Sequence, residues 1–197
     1  MTLRLVIDLG MWPYHSPREK ELLLKQLEMS VGESRRHGPG VTLDITSVPE
    51  ELLPTLQRFN LSGEILKTQA TYPDMVLLDP HAEETLNRVE PGTAYIIGGI
   101  VDKSRRIRTR SLWYDVPRMS LKLKGSVIGV PDRINILVGI LCENHSGLFM
   151  EEAIMKNMTR REKSERVRME LDRGHSLTKI SQLLNLSVSE LERIIQR

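Results

Sequence analysis

The sequence predicts an α/β domain with a largely parallel sheet, followed by a small helical C-terminal region. Short β-branched runs alternate with amphipathic stretches as far as residue 145, whereas residues 146–197 carry helical patterning alone. The strand-like runs also share an ending. Asp8 and Gly10 follow the first, Asp79-Pro80-His81-Ala82 follows residues 75–78, and Gly98-Gly99 with Asp102 follows residues 95–97. In a parallel α/β sheet such polar turns converge at the carboxyl edge, where ligands bind. The expected division is therefore 1–145 for the sheet domain and 146–197 for the helical region.

Residues 3–8, Leu-Arg-Leu-Val-Ile-Asp, read as a buried strand. Ser16, Pro17 and Glu19 form a helix start with a capping box, and Leu23, Leu24, Leu27 and Val31 lie on one face of the helix. Gly32 is expected to end it. Residues 41–45 form the next strand, and residues 47–59 a helix bent or broken at Pro54. A weak strand at 65–67 and a stronger one at 75–78 follow. Residues 83–89 read as a short helix, Pro91-Gly92 as a turn, and residues 95–97 as the central strand. Beyond an irregular stretch at 113–117, residues 119–123 alternate like a strand, and residues 125–131 form a glycine-punctuated loop. Pro131 can open a helix bearing Ile134, Leu137, Val138 and Leu141, with Asp132 near its start. Helices at 148–155 and 159–171 come next, and Gly174 ends the second. Residues 176–184 and a final helix capped by Ser187 and Glu190 make a helix–turn–helix outline.

Net charge is only +2, so the distribution of cations matters more than their number. Lys103, Arg105, Arg106, Arg108 and Arg110 fall within eight residues without an acid, which suits a polyanion such as RNA. A solvated charge run is an equal reading from composition alone. Arg160, Arg161, Lys163, Arg166 and Arg168 are interleaved with Glu162, Glu165 and Glu170, the pattern of a solvated helix with pairs such as Glu162–Arg166. The single cysteine, Cys142, excludes a disulfide framework and points to the reducing cytoplasm. No apolar run approaches the length of a membrane span.

Neither a phosphate-binding loop, a dinucleotide fingerprint nor a nucleophile elbow occurs. The five histidines are scattered, so no zinc site is expected, and magnesium held by Asp8, Asp102 and Asp132 stays open but without a supporting motif. Asp8, Asp102 and Asp132 remain as acids that a fold can gather, although singly each is more often a turn or cap residue. The last helix offers Glu190 and Glu192 where a DNA-reading helix usually presents cations or amides. A non-enzymatic nucleic-acid-binding regulator using this outline stays open as the rival reading.

Leu-Leu-Asp-Pro-His-Ala-Glu-Glu-Thr-Leu from residue 77, then Glu-Pro-Gly, then Tyr-Ile-Ile-Gly-Gly-Ile-Val-Asp-Lys-Ser-Arg from residue 95, resembles the core of the tRNA purine-9 N1-methyltransferases. These form a branch of the SPOUT superfamily. The likeness is close over residues 72–110 and looser from Leu3 to about Leu171. It implies a SPOUT-type parallel sheet with a C-terminal trefoil knot, S-adenosylmethionine as cofactor, tRNA as partner and a monomer in the cytoplasm. By position it implies cofactor contacts from Leu78, Asp79, Pro80, Gly98, Gly99, Lys124, Gly125, Ser126, Val127, Ile128, Gly129 and Val130. Asp102 matches the family's proposed catalytic acid, Asp8 its opening-strand acid, and Asp132 an acid of the archaeal branch. The basic run 103–110 would hold tRNA phosphates. The family's usual N-terminal RNA-binding extension is not seen before the first strand, and residues 110–119 are short where many relatives carry a helix.

Overall fold

In the computed structural model, residues 2–101, 109–112 and 114–196 are described, Arg110 by its backbone alone. Five parallel strands form one sheet: β1 (Leu3–Asp8), β2 (Val41–Thr46), β3 (Met75–Leu78), β4 (Ala94–Gly98) and β5 (Arg118–Met119), in the order β2-β1-β4-β3-β5. The register sets Asp8 beside Thr46 on one side and beside Gly98 on the other. All strand ends therefore share one edge, with β1 and β4 at its centre.

Alternation along β1 divides its side chains between two cores. Leu3, Leu5 and Ile7 join the larger cluster with Leu23, Leu27 and Val31 of helix α1 (Pro17–Arg36) and Ile134, Val138 and Leu141 of helix α3 (Ile134–His145). Burying each such side chain is worth roughly 1.5–3 kcal/mol. Val6 faces the other way, where Leu77, Ala94 and Ile96 are covered by Ala70, Leu112 and Tyr114 from irregular segments. Parallel strands need both faces covered. Here helices cover one face and loops the other.

The start of α1 follows the sequence expectation: Ser16 accepts from the Glu19 amide, and Glu19 accepts from Ser16. The helix passes through Gly32, however, and stops at His37, before Gly38 with its φ of +76°. A mid-helix glycine costs only about 1 kcal/mol. Pro54 does break its segment, into a short helix α2 (Leu53–Leu56) flanked by 3-10 turns at Glu50–Leu52 and Gln57–Phe59. The weak strand near residue 65 is reduced to a parallel bridge between Ile65 and Ile45.

Two further expected elements differ. Residues 83–89 form no helix; instead Thr85 makes a parallel bridge with Ser120, with the Leu86 amide donating to the Ser120 carbonyl and the Ser120 amide to that of Glu84. A seven-residue helix pays the full nucleation penalty for few bonds, and the open sheet edge offers alternative partners. The strand expected over 119–123 shortens to β5 for the same reason, since Ser120 pairs with this flanking segment.

Helix α3 begins three residues after Pro131, because Arg133 is extended and the Ile134 amide donates to Gln26 Oε1. Helices α4 (Met150–Asn157), α5 (Arg160–Asp172), α6 (Leu177–Leu184) and α7 (Val188–Ile195) follow. Val167, Ile180, Leu184 and Leu191 belong to the same apolar cluster as the sheet. Among the described residues, no helix is long and apolar enough to cross a membrane.

Candidate active site

The centre of the carboxyl edge is organised by Asp8, which is fully buried. Its Oδ1 accepts from the Gly10 amide at 2.8 Å. Its Oδ2 accepts from Thr46 Oγ1 at 3.1 Å, Ser47 Oγ at 2.7 Å and the Tyr114 hydroxyl at 2.6 Å. Four donors satisfy a buried carboxylate, and none of these bonds leaves it facing solvent. Burial, and then the Asp8 carboxylate, hold the Tyr114 pKa far above the ordinary phenol value, so the hydroxyl remains a donor.

Gly99 lies directly against this centre. Its amide donates to the Asp8 carbonyl at 2.7 Å, and a Cβ there would lie 2.7 Å from that same oxygen and 2.6 Å from Leu9 Cδ2. Only glycine lets the two backbones approach so closely. Two residues on, the Val101 amide donates to His15 Nε2 at 3.0 Å, while His15 Nδ1 lies 2.9 Å from the Met11 carbonyl. Since a backbone N–H can only donate, Nε2 is the acceptor and Nδ1 carries the proton. The ring thereby fixes the backbone immediately before Asp102.

At the neighbouring strand end, Leu78 and Asp79 are buried and Pro80 is exposed. Asp79 closes the turn by accepting from the His81 amide at 3.0 Å, and its other oxygen pairs with Arg118 at 3.0 Å. Leu78, Asp79, Gly98, Gly99 and Asp8 are thus gathered at one edge. The loop expected to complete the site starts four residues after β5. Leu123 and Ser126 exchange backbone hydrogen bonds around Lys124 (φ +48°) and Gly125 (φ +74°), a two-residue turn of type I′. Val127 and Ile128 beyond it are 38% and 46% exposed, while Gly129 is buried and Val130 half-buried.

Asp132 is exposed, and its electrostatic neighbour is Arg161 of α5, whose pKa is raised first by its bond to Glu165 and further by Asp132. It precedes α3 rather than capping it. Asp102, Lys103, Arg105, Arg106 and Arg108 lie outside the described residues, as does the side chain of Arg110.

Helix α5 is not the solvated helix its charge pattern suggests. Arg166 is fully buried and pairs with Glu170 at 2.7 Å, whereas Glu162 serves the helix start by accepting from the Thr159 amide and hydroxyl. In α7, Leu191 is buried, Glu190 is used in its own cap, and Arg193 donates to the Ser189 carbonyl. These engagements leave α7 poorly suited to reading base edges.

Sequence reasoning missed Tyr114, Ser47, Thr46 and His15. Only Thr46 carried a usable signal, as the last residue of the strand beside β1; the others reach the site from loops.

The sequence model of the family described as tRNA (guanine(9)-N(1))-methyltransferase TRM10/TRM10A matches residues 1–109. Among curated proteins, the tRNA (guanine(9)-/adenine(9)-N1)-methyltransferase of Thermococcus kodakarensis is 34% identical over 168 residues, covering 76% of this chain and 45% of the relative. The tRNA (adenine(9)-N1)-methyltransferase of Sulfolobus acidocaldarius is 31% identical over 173 residues, covering 83% and 58%. The chain spans about half the length of these relatives. Among solved structures, Sulfolobus acidocaldarius Trm10 in complex with S-adenosylhomocysteine superimposes with a TM-score of 0.73 at 22% identity, covering 98% of this chain and 66% of that one, a likeness of fold. The dual-specific Trm10 of Thermococcus kodakaraensis gives 0.65 at 30% identity, covering 79% and 99%.

Proposed function

The chain belongs to the tRNA (guanine(9)-N(1))-methyltransferase TRM10/TRM10A family, and on that premise we propose that it methylates N1 of the purine at position 9 of tRNA, using S-adenosylmethionine. The observation that carries this is the gathering of Asp8, Leu78-Asp79 and Gly98-Gly99 at one sheet edge, with Asp102 three residues further along the sequence. Relatives named for this activity and a neighbour crystallised with S-adenosylhomocysteine support it.

The residues present suit that cofactor. Val127 and Ile128 expose apolar surface on a tightly turned loop, as a purine ring requires, and Leu78, Asp79, Pro80, Gly98, Gly99, Lys124, Gly125, Ser126, Gly129 and Val130 would provide the surrounding wall. When bound, the cofactor supplies an electrophilic methyl group on a sulfonium.

Asp102 accepts the N1 proton when the target is guanosine, because guanine N1 is protonated at neutral pH. Toward adenosine, whose N1 has a free lone pair, the same carboxylate stabilises the positive charge on the methylated ring. Asp8, with all four donors engaged, holds the β1 and β2 ends and Tyr114 in place rather than touching the base. Lys103, Arg105, Arg106, Arg108 and Arg110 grip phosphates, and that binding energy offsets the few kcal/mol needed to extrude a stacked base. Residues 1–145 carry the chemistry within a trefoil-knotted SPOUT fold, residues 146–197 buttress it, and the protein works as a cytoplasmic monomer.

Calorimetry with S-adenosylhomocysteine tests this reading. Saturable one-to-one binding is expected; no binding would return the protein to a non-enzymatic nucleic-acid-binding role.

A further inference from the structure

The most unusual side chain outside the strand-end site is Arg166 of α5. Its guanidinium is completely buried, donating to the Leu123 carbonyl at 2.6 Å and to the Ile128 carbonyl at 3.2 Å. These carbonyls flank the type I′ turn and the exposed Val127-Ile128 pair. Backbone contact reinforces the attachment: Gly129 has a φ of +79°, and a Cβ there would sit 2.7 Å from Arg166 Cβ and 2.9 Å from the Glu162 carbonyl. From α4, Glu151 accepts from the Lys124 amide at 2.8 Å and pairs with its ammonium at 2.5 Å.

The charge is neutralised at the back. Glu170 lies 2.7 Å from Arg166 and also 2.8 Å from His175 Nδ1, in the link between α5 and α6. A buried cation is costly, and an apolar residue would pack against a loop at lower desolvation cost. What an arginine adds is a rigid plane in which Nη1 donates to both carbonyls while Nη2 stays against Glu170, so the position of the loop is tied to that of the ion pair.

We propose that Arg166 is a positioning residue for the methyl donor: by spanning the Leu123 and Ile128 carbonyls it sets the shape of loop 123–129 before the cofactor arrives. This rests on the proposed cofactor site. It brings α5, beyond the segment matched by the family's sequence model, into the construction of that site. Misplacing binding groups by about 1 Å can cost up to about 100-fold.

The test uses the full chain, Arg166→Lys, and the double variant Arg166→Met/Glu170→Met. Lysine keeps one positive charge but has a single nitrogen on a flexible stem, which cannot serve the two carbonyls as Nη1 does and stay against Glu170 as Nη2 does; the double variant removes the buried charges together, so that neither is left unpaired. Affinity for S-adenosylhomocysteine is measured by calorimetry, steady-state KM for S-adenosylmethionine and for tRNA separately, and folding by thermal unfolding. A cofactor affinity reduced roughly tenfold or more in a cooperatively unfolding variant, with the tRNA KM unchanged, is the expected result. Wild-type cofactor affinity in both folded variants would overturn the role of Arg166 while leaving the functional reading intact. Failure of the wild-type chain itself to bind S-adenosylhomocysteine would overturn that reading and this inference with it.

Discussion

Replacing Tyr114 by phenylalanine isolates one strut of the Asp8 centre. The hydroxyl donates to Oδ2 at 2.6 Å in a buried setting, and hydrogen bonds to charged groups are worth about 1.5–3 kcal/mol net. Phenylalanine keeps the ring, so no cavity opens. Gly10, Thr46 and Ser47 continue to satisfy the carboxylate, which places the loss near the lower figure. For a protein of this size, about 1.5 kcal/mol corresponds to a fall in Tm of roughly 3–6 °C. Thermal unfolding at neutral pH gives the value, and a double-mutant cycle with Asp8→Asn should return a coupling of about 1 kcal/mol or more.

Alkaline pH adds an independent arm. The folded-state pKa of Tyr114 is raised, so its contribution is complete below the unfolded value of about 10 and is lost as pH climbs above it. Wild type should therefore lose stability more steeply than Tyr114→Phe above about pH 10. An unchanged Tm, no coupling with Asp8 and parallel alkaline curves would together refute the strut.

Three further outcomes follow. Cys142 is wholly buried, and burial, then Glu33 and Glu143, push its thiol pKa up to about 12; thiol reagents at pH 8 should label it only at the rate of unfolding, and rapid labelling of native protein would show that α3 opens. Replacing Arg105, Arg106 and Arg108 by alanine should flatten the salt dependence of tRNA binding by up to about three units of slope, with calorimetric cofactor affinity unchanged. Asp102→Asn should reduce guanosine methylation by about 10²–10⁴-fold and adenosine methylation less, in single-turnover rates on tRNAs carrying G or A at position 9; equal small losses would exclude a base role.

Local chemistry made much of this fold legible. The Ser16–Glu19 capping box, the break at Pro54 and the acid and glycine endings of the strands each depend on a few adjacent residues. Residues 83–89 misled because a weak helical pattern carries no information about a sheet edge waiting beside it. Tyr114 reaches Asp8 across 106 positions, and no period or spacing along the chain encodes that meeting. Arg166 was hidden by its neighbours: alternating charges describe a solvated helix unless the Leu123 and Ile128 carbonyls, 43 and 38 positions away, are known to sit over it. Gly129 was visible as a loop glycine, but not as the point where that loop touches α5.

The central claim is methyl transfer to one nucleotide. Nucleoside mass spectrometry on unmodified tRNA incubated with the protein and isotope-labelled S-adenosylmethionine tests it directly. The account predicts labelled 1-methylguanosine or 1-methyladenosine from tRNAs with a purine at position 9, and none when that position is a pyrimidine. Labelled methyl groups at another position, or none in any tRNA while the protein binds S-adenosylhomocysteine, would contradict it.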